Sequence, residues 1–214
     1  MRVLTVEAYG LKFIVDENAS FIVEEGYEPF LKDVVKLELG DVFVDVGAHV
    51  GKYSFYAARL VGDSGTVVAI EPPPGNMANL KKGLRLNCFT NVVTVQKACS
   101  SYEGESLLKE YELSAKHELV QEKTGLRVDV GTLDNILQNL RIRTVTLVKI
   151  DVNGCEYEVL QGARKTLEEF KPPLIAEVTF DNEAKVLEYL KSYGYEPTIL
   201  AQTKRYLDVL YHSE

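Results

Sequence analysis

A chain of 214 residues, 46% hydrophobic and 26% charged, has the length and balance of one soluble globular domain with a sizeable core. Its net charge of −8 lacks the basic footprint of a nucleic-acid binder, and no apolar run is long enough to span a bilayer. The three cysteines, Cys88, Cys99 and Cys155, are odd in number and widely spaced, which argues against a disulfide framework or zinc site and for reduced thiols in a cytoplasmic setting.

The opening run MRVLTVEAYGLKF alternates apolar and polar residues and is interrupted by Glu7 and Lys12, so it reads as strand and lacks the apolar stretch of a secretion signal. RVLTVEAY and LKFIVDE, joined near Gly10, predict a hairpin. In EPFLKDVVKLEL the spacing of Phe30, Leu31, Val34 and Val35 predicts a helix that stops at Gly40. Strands and helices then alternate: DVFVDV, KYSFYAARLV, TVVAIE, PGNMANLKKGLRLN, NVVTVQKA. Residues 103–143 break the rhythm with an inserted strand pair, ESLLKEYEL and GLRVDVGTL, and a short helix, LDNILQNL. Alternation resumes with TVTLVKIDV, CEYEVLQGARKTLEEF, PPLIAEV and NEAKVLEYLKSYG, and two strand-like runs, YEPTILA and RYLDVLYH, close the chain as a hairpin with the last strand antiparallel. No repeat or linker divides it. Val- and Ile-rich strands separated by helices predict a doubly wound α/β domain, mostly parallel, over residues 1–214, with residues 1–40 as an N-terminal hairpin-and-helix extension.

In such sheets ligands sit beyond the carboxyl ends of the strands, so residues just after strands are the candidates. The first group is Asp45-Val46-Gly47-Ala48-His49-Val50-Gly51. It is not a Walker A loop, because only three residues separate Gly47 from Gly51 and Tyr53 follows Lys52. It is not the GxGxxG dinucleotide fingerprint either, because His49 and Lys52 stand where glycines are needed. A glycine turn still lets the backbone approach a ligand closely. The second group is Glu71, placed to accept hydrogen bonds from ribose hydroxyls, and the third is Asp151. In this order the three specify a site for a nucleoside joined to an amino acid. Two carboxylates suit a cationic sulfonium better than a phosphate.

The stretches FVDVGAHVGKYSFYAARL, VVAIEPPPGNMANLKKGLRLN, ACSSYEG, TLDNIL, LVKIDVNGCEYEVLQGA and PLIAEV resemble the FkbM family of S-adenosyl-L-methionine-dependent methyltransferases, of the class I Rossmann-like fold, from about Asp41 to Val178. The resemblance implies a seven-stranded sheet with a reversed last strand. It implies that Asp45, Gly47, Ala48 and Gly51 surround the methionine part of the cofactor, that Glu71, followed by Pro72, holds the ribose, and that Ala98 and Cys99 lie against the adenine. Asp134, Asp151 and Glu156 fall on acidic positions typical of the family. Three positions depart from its pattern: His49 stands where Asn is common, Asn153 where Glu is usual, and EPPPGN carries an extra proline.

Methyl transfer to an amine or thiolate needs little beyond positioning, whereas a hydroxyl needs help in losing its proton. Asp151 is the first candidate base, and Glu177, ending the next strand, faces the same cleft. Two such carboxylates could share a proton, orient the cofactor, or hold a divalent metal. His49 is a further candidate, by its ordinary pKa or by orienting the cofactor's carboxylate. Lys149 is expected to pair with Asp134 or Asp151, and Tyr53, Tyr56 and Tyr157 line a cleft or simply pack. His117 and His212 are expected in solvent. The leading expectation is methylation of a hydroxyl on a small molecule or glycan, without nucleic acid or membrane partners and with a homodimer left open. The alternatives are N-methylation of a protein, RNA or metabolite, and a non-catalytic domain that keeps the cofactor site.

Overall fold

The computed structural model describes residues 2–110, 117–120 and 125–213. Two strands open the chain, β1 (Val3–Ala8) and β2 (Leu11–Asp16). They pair antiparallel with Ala8 opposite Leu11, and the two turn residues Tyr9 and Gly10 both take positive φ, 56° and 68°. Such a turn matches the twist of the flanking strands. Alternate residues of β2, namely Leu11, Phe13 and Val15, are buried. Phe13 stacks on Phe55 with ring centroids 5.3 Å apart, which pins one face of the hairpin to the core.

A 3-10 helix, Glu17–Val23, follows, and then a single helical turn, α1 (Leu31–Val34). The helix predicted up to Gly40 is thus corrected to four residues. The Asp41 carboxylate accepts the Glu38 N–H at 2.7 Å while the Asp41 N–H donates to the Glu38 carbonyl. That turn bends the chain into the sheet before a second helical turn can form, and β-branched Val34 and Val35 favour the extended exit.

The remaining elements are β3 (Val42–Val46), α2 (Lys52–Val61), β4 (Thr66–Ile70), α3 (Pro74–Leu86), β5 (Val92–Val95), β6 (Ala98–Cys99), β7 (Gly104–Glu110), β8 (His117–Val120), β9 (Leu126–Gly131), α4 (Leu133–Asn139), β10 (Leu147–Ile150), α5 (Glu156–Gln161), α6 (Arg164–Glu169), β11 (Leu174–Thr179), α7 (Phe180–Ser192), β12 (Tyr195–Gln202) and β13 (Tyr206–Ser213). Seven strands form the main sheet in the order β12-β13-β11-β10-β3-β4-β5. The strands from β11 to β5 are parallel, and β13 runs antiparallel between β11 and β12. Neighbouring residues of one strand feed opposite cores. Phe43 and Val67 join Phe13, Phe55 and Leu80 on one face, while Val44 and Val68 join Val148, Leu160 and Val186 on the other.

A second sheet, β6-β9-β7-β8, stands beside the first. Residues 104–131 contribute three strands to it where the sequence suggests a pair; the end of ESLLKEYEL beyond Glu110 lies outside the described residues. The CEYEVLQGARKTLEEF helix is two helices, α5 and α6. The Asp134 carboxylate reaches across from α4 and accepts the N–H groups of Lys165 and Thr166, at 2.9 and 3.0 Å, capping α6 as a separate helix.

Candidate active site

Strand order reverses between β3 and β10, which both border the midline of the sheet, so their carboxyl ends open a crevice. A cavity of about 370 Å³ occupies it, lined by residues that follow β3, β4 and β10 and by β6 itself. That volume lies within the range of small-ligand sites.

The glycine turn after β3 forms one wall. Gly47 has φ +83°, and a Cβ there would lie 1.8 Å from the Asp151 carbonyl oxygen. The close approach that glycine permits is therefore to the backbone after β10, and it holds the two strand ends together. The N–H groups of Gly47 and Ala48 both donate to the Ile70 carbonyl at 3.0 Å. His49 also has positive φ, 49°, and this aims its N–H at Glu71 Oε2, 2.9 Å away. Asn76 Nδ2 donates to Glu71 Oε1 at 2.8 Å. Glu71 is buried, and burial pushes its carboxyl up to about 7 although Asn76 and His49 pull it down. Each of its oxygens keeps a second lone pair for a ligand hydroxyl.

Of the cofactor residues expected from the sequence, Gly47, Ala48, His49, Glu71, Pro72, Ala98 and Cys99 line the cavity. Asp45 and Gly51 are not among the lining residues. Asp45 is buried beneath the turn, where its Oδ2 accepts Ser54 Oγ at 2.6 Å and its Oδ1 lies 3.8 Å from Lys149 Nζ. Gly51, with φ +96°, caps α2 where a Cβ would meet the Phe55 ring at 2.5 Å. The prolines of EPPPGN suit the geometry: Pro72 and Pro73 line the cavity, and Pro74 starts α3, a position that needs no N–H. Asn153 also lines it at φ +52°, a conformation asparagine tolerates.

The opposite wall is acidic. Lys149 lies beside Asp45 in the β3–β10 register. Its ammonium donates to Asp151 Oδ2 at 3.1 Å and to the Gly47 carbonyl at 3.3 Å, and sits 5.0 Å from the Tyr53 ring centre. Of the two expected partners, Asp151 is the one Lys149 meets, and Asp45 joins it in place of Asp134. Burial pulls the Lys149 pKa down, but Asp151, Asp45 and Glu28 outweigh it and the balance is upward. Ile150 pairs with Ala176, so Asp151 and Glu177 follow on adjacent strands. Glu177 in turn lies directly opposite Asp208 of β13. Burial, then Asp151 and Asp208, push the Glu177 carboxyl up to about 10, so near neutral pH it holds a proton. Burial, then Glu28 and Asp151, raise Asp208 to about 7.

Asp134 and Glu156 are structural. Glu156 accepts the Gly154 N–H at 2.6 Å and Asn182 Nδ2 at 3.0 Å, which fixes the turn carrying Asn153. His49 lines the cavity; Tyr53 does too, while Tyr56 and Tyr157 pack elsewhere. His212 is exposed, and the side chain of His117 lies outside the described residues. Among the described residues no cluster of His, Cys, Asp and Glu is arranged to hold a metal ion, and no helix is long and apolar enough to cross a membrane.

Sequence reasoning missed the covering segment. Phe21, Tyr27 and Glu28 line the cavity together with Tyr206. Lys52 Nζ donates to the Tyr27 carbonyl and pairs with Glu28 Oε2 at 3.0 Å, and Tyr53 OH donates to Glu28 Oε1 at 3.1 Å. One signal was available. Lys52 opens α2, where the helix dipole disfavours a cation, and it is buried, so it requires a carboxylate partner from elsewhere in the chain.

A family model described as the methyltransferase FkbM domain matches residues 45–197. "Methyltransferase 1" of Beauveria bassiana (strain ARSEF 2860) is 25% identical over 168 residues, covering 68% of this chain and 67% of that protein. The crystal structure of methyltransferase FkbM from Methylobacillus flagellatus KT superposes with a TM-score of 0.63 at 21% identity. That match covers 84% of this chain, which spans 45% of the other. Aeropyrum pernix fibrillarin, crystallised with natively bound S-adenosyl-L-methionine, superposes with a TM-score of 0.57 at 15% identity over 98% of this chain and 81% of its own.

Proposed function

The chain belongs to the FkbM methyltransferase family, and from that premise we propose that it transfers the methyl group of S-adenosyl-L-methionine to a hydroxyl of a small molecule or sugar. The observation that carries this reading is the pairing of two walls in one cavity: Glu71, fixed by His49 and Asn76, faces Asp151 and Glu177. The residues fit the cofactor. The buried carboxylate of Glu71 has lone pairs to spare for ribose hydroxyls, the Ala98–Cys99 strand offers a flat apolar surface for a base, and a fibrillarin of the same fold carries the same compound.

When bound, S-adenosyl-L-methionine supplies a methyl group on a sulfonium, and the chain's part is to position the acceptor and take its proton. Asp151 is oriented by Lys149 through Oδ2, leaving Oδ1 for the acceptor hydroxyl. Glu177, protonated, donates a hydrogen bond to the acceptor and keeps the proton count of the pair to one. His49 serves through its backbone N–H, by holding Glu71. Were a divalent ion required, Asp151 and Glu177 would be the residues to hold it and it would supply polarisation of the acceptor hydroxyl; chelation separates the two routes. The net charge of −8 favours a small-molecule acceptor over nucleic acid. Incubation with tritiated methyl donor and a panel of phenols, glycosides and amines tests the reading. Label is expected in hydroxyl compounds; label confined to amines would replace the proposal with N-methylation, and label in none of the panel would refute it.

A further inference from the structure

The cavity has a third wall that neither the glycine turn nor the strand-end acids supply. It is built by Phe21, Ile22, Tyr27 and Glu28, from the N-terminal extension, together with Tyr206, the first residue of β13. This wall is held at Glu28, which takes a left-handed backbone, φ 51°, and whose carboxylate is held by Lys52 and Tyr53. Tyr27 and Tyr206 both line the cavity, so the extension and the start of β13 share its rim. Such a conformation is costly for a non-glycine residue and persists where surrounding contacts hold it.

The wall is aromatic. Phe21 and Tyr27 meet edge to face, centroids 5.4 Å apart at 79°, and Lys52 Nζ lies 4.9 Å from the Tyr27 ring centre. The Tyr27 ring is thereby occupied by its neighbours. Phe21 is not: it lines the cavity yet is 41% exposed, unusual for a large apolar side chain and a mark of a binding surface. Asp151, just after β10, and Glu177, within the adjacent β11, line the same cavity as the rings.

We infer that Phe21, Tyr27 and Tyr206 form a collar that selects the methyl acceptor, and that the acceptor is a ring compound with one flat apolar face and a hydroxyl at its edge. A phenol and a pyranoside share that chemistry, the first through its aromatic face and the second through its C–H face. The flat face lies on the exposed Phe21 ring while the edge hydroxyl reaches Asp151. Linear polyols carry hydroxyls without the face and are excluded. This rests on the methyl-transfer reading of the cavity.

The test is equilibrium binding to the full chain saturated with S-adenosylhomocysteine, followed by saturation-transfer NMR. The probes are 4-methylphenol, methyl β-D-glucopyranoside and glycerol. At least one ring probe is expected to bind and glycerol is not; which ring probe binds distinguishes the two sources. Phe21→Ala, at a half-exposed position that should tolerate it, is expected to weaken the ring probe about tenfold or more, the order of a lost aromatic contact with its buried area. S-adenosylhomocysteine affinity should be unchanged in this variant. Equal binding of glycerol, failure of both ring probes, or a Phe21→Ala variant that binds like wild type overturns the inference while leaving the cofactor reading intact. Failure of S-adenosylhomocysteine itself to bind wild type overturns that reading, and the inference with it.

Discussion

Replacing Lys149 with Met removes a buried cation from between two acids and keeps most of the side-chain volume. Lys149 Nζ lies 3.1 Å from Asp151 Oδ2 and 3.8 Å from Asp45 Oδ1. At an effective dielectric of about 20, those separations correspond to gross attractions of roughly 5 and 4 kcal/mol. Desolvating the three groups cancels much of that, so the intact cluster contributes little net stability, but removing one partner strands the others. Asp45 would then be a buried carboxylate with only Ser54 as donor. Losses of this kind run to about 3–5 kcal/mol, which for a domain of this size is about 6–20 °C in Tm. The deficit should depend on pH. Burial already raises the Asp45 pKa against the pull of Lys149, and without the lysine it rises further. A raised carboxyl costs stability as pH climbs from its unfolded value through its folded one, so the variant should be closer to wild type at pH 5 than at pH 8. Adding Asp151→Asn to Lys149→Met should recover part of the loss. Thermal unfolding at both pH values reads all of this. A Tm within about 2 °C of wild type at pH 8, or a deficit equal at the two pH values, would refute the role assigned to the lysine.

Other substitutions probe other parts of the site. Gly47→Ala forces a Cβ onto the Asp151 carbonyl at a positive φ and should lower Tm by more than about 6 °C, whereas Gly75→Ala in α3, with nothing within 4 Å of its Cβ, should hold Tm or raise it by up to about 4 °C; equal effects would mean that the turn is not closed against β10. Glu177→Gln removes a carboxyl held at about 10, whose ionisation costs wild-type stability as pH rises from about 4.5, so its Tm gain should be larger at pH 8.5 than at pH 5; a pH-independent gain would show that Glu177 is solvated. Asp151→Asn should cut turnover of an identified acceptor by about 10²–10⁴-fold with little change in cofactor affinity. Near-normal turnover would transfer the proton to another group, and loss of wild-type activity in EDTA would assign Asp151 to a metal.

The core of the fold was legible because its strands are Val- and Ile-rich runs with little alternation, such as DVFVDV and TLVKI, which suit a sheet covered on both faces. The strand-end placement of Glu71 and Asp151 follows from the same alternation, and the structure puts both in one cavity. The N-terminal segment was misread because the apolar period of residues 30–35 is helical, while the local contest is decided by a single carboxylate, Asp41, capturing the Glu38 N–H. The collar was invisible for a different reason. Phe21, Tyr27 and Tyr206 are brought together by the insertion of β13 beside β11, a pairing between distant parts of the chain that no local pattern encodes. Asp45 and Gly51 lie where a glycine-turn motif places ligand contacts. Here one neutralises Lys149 from beneath and the other makes room for Phe55.

The central claim is that the cavity between β3 and β10 takes S-adenosyl-L-methionine with Glu71 on its ribose. Calorimetric titration of wild type and Glu71→Ala with S-adenosyl-L-methionine at pH 8, above the value of about 7 to which burial raises Glu71, tests it most directly. One molecule should bind per chain, and the variant should bind more weakly by about 1–3 kcal/mol, roughly 5- to 150-fold, the range for lost hydrogen bonds to a charged group. Absence of binding to wild type, or equal affinity in the two proteins, would contradict the account.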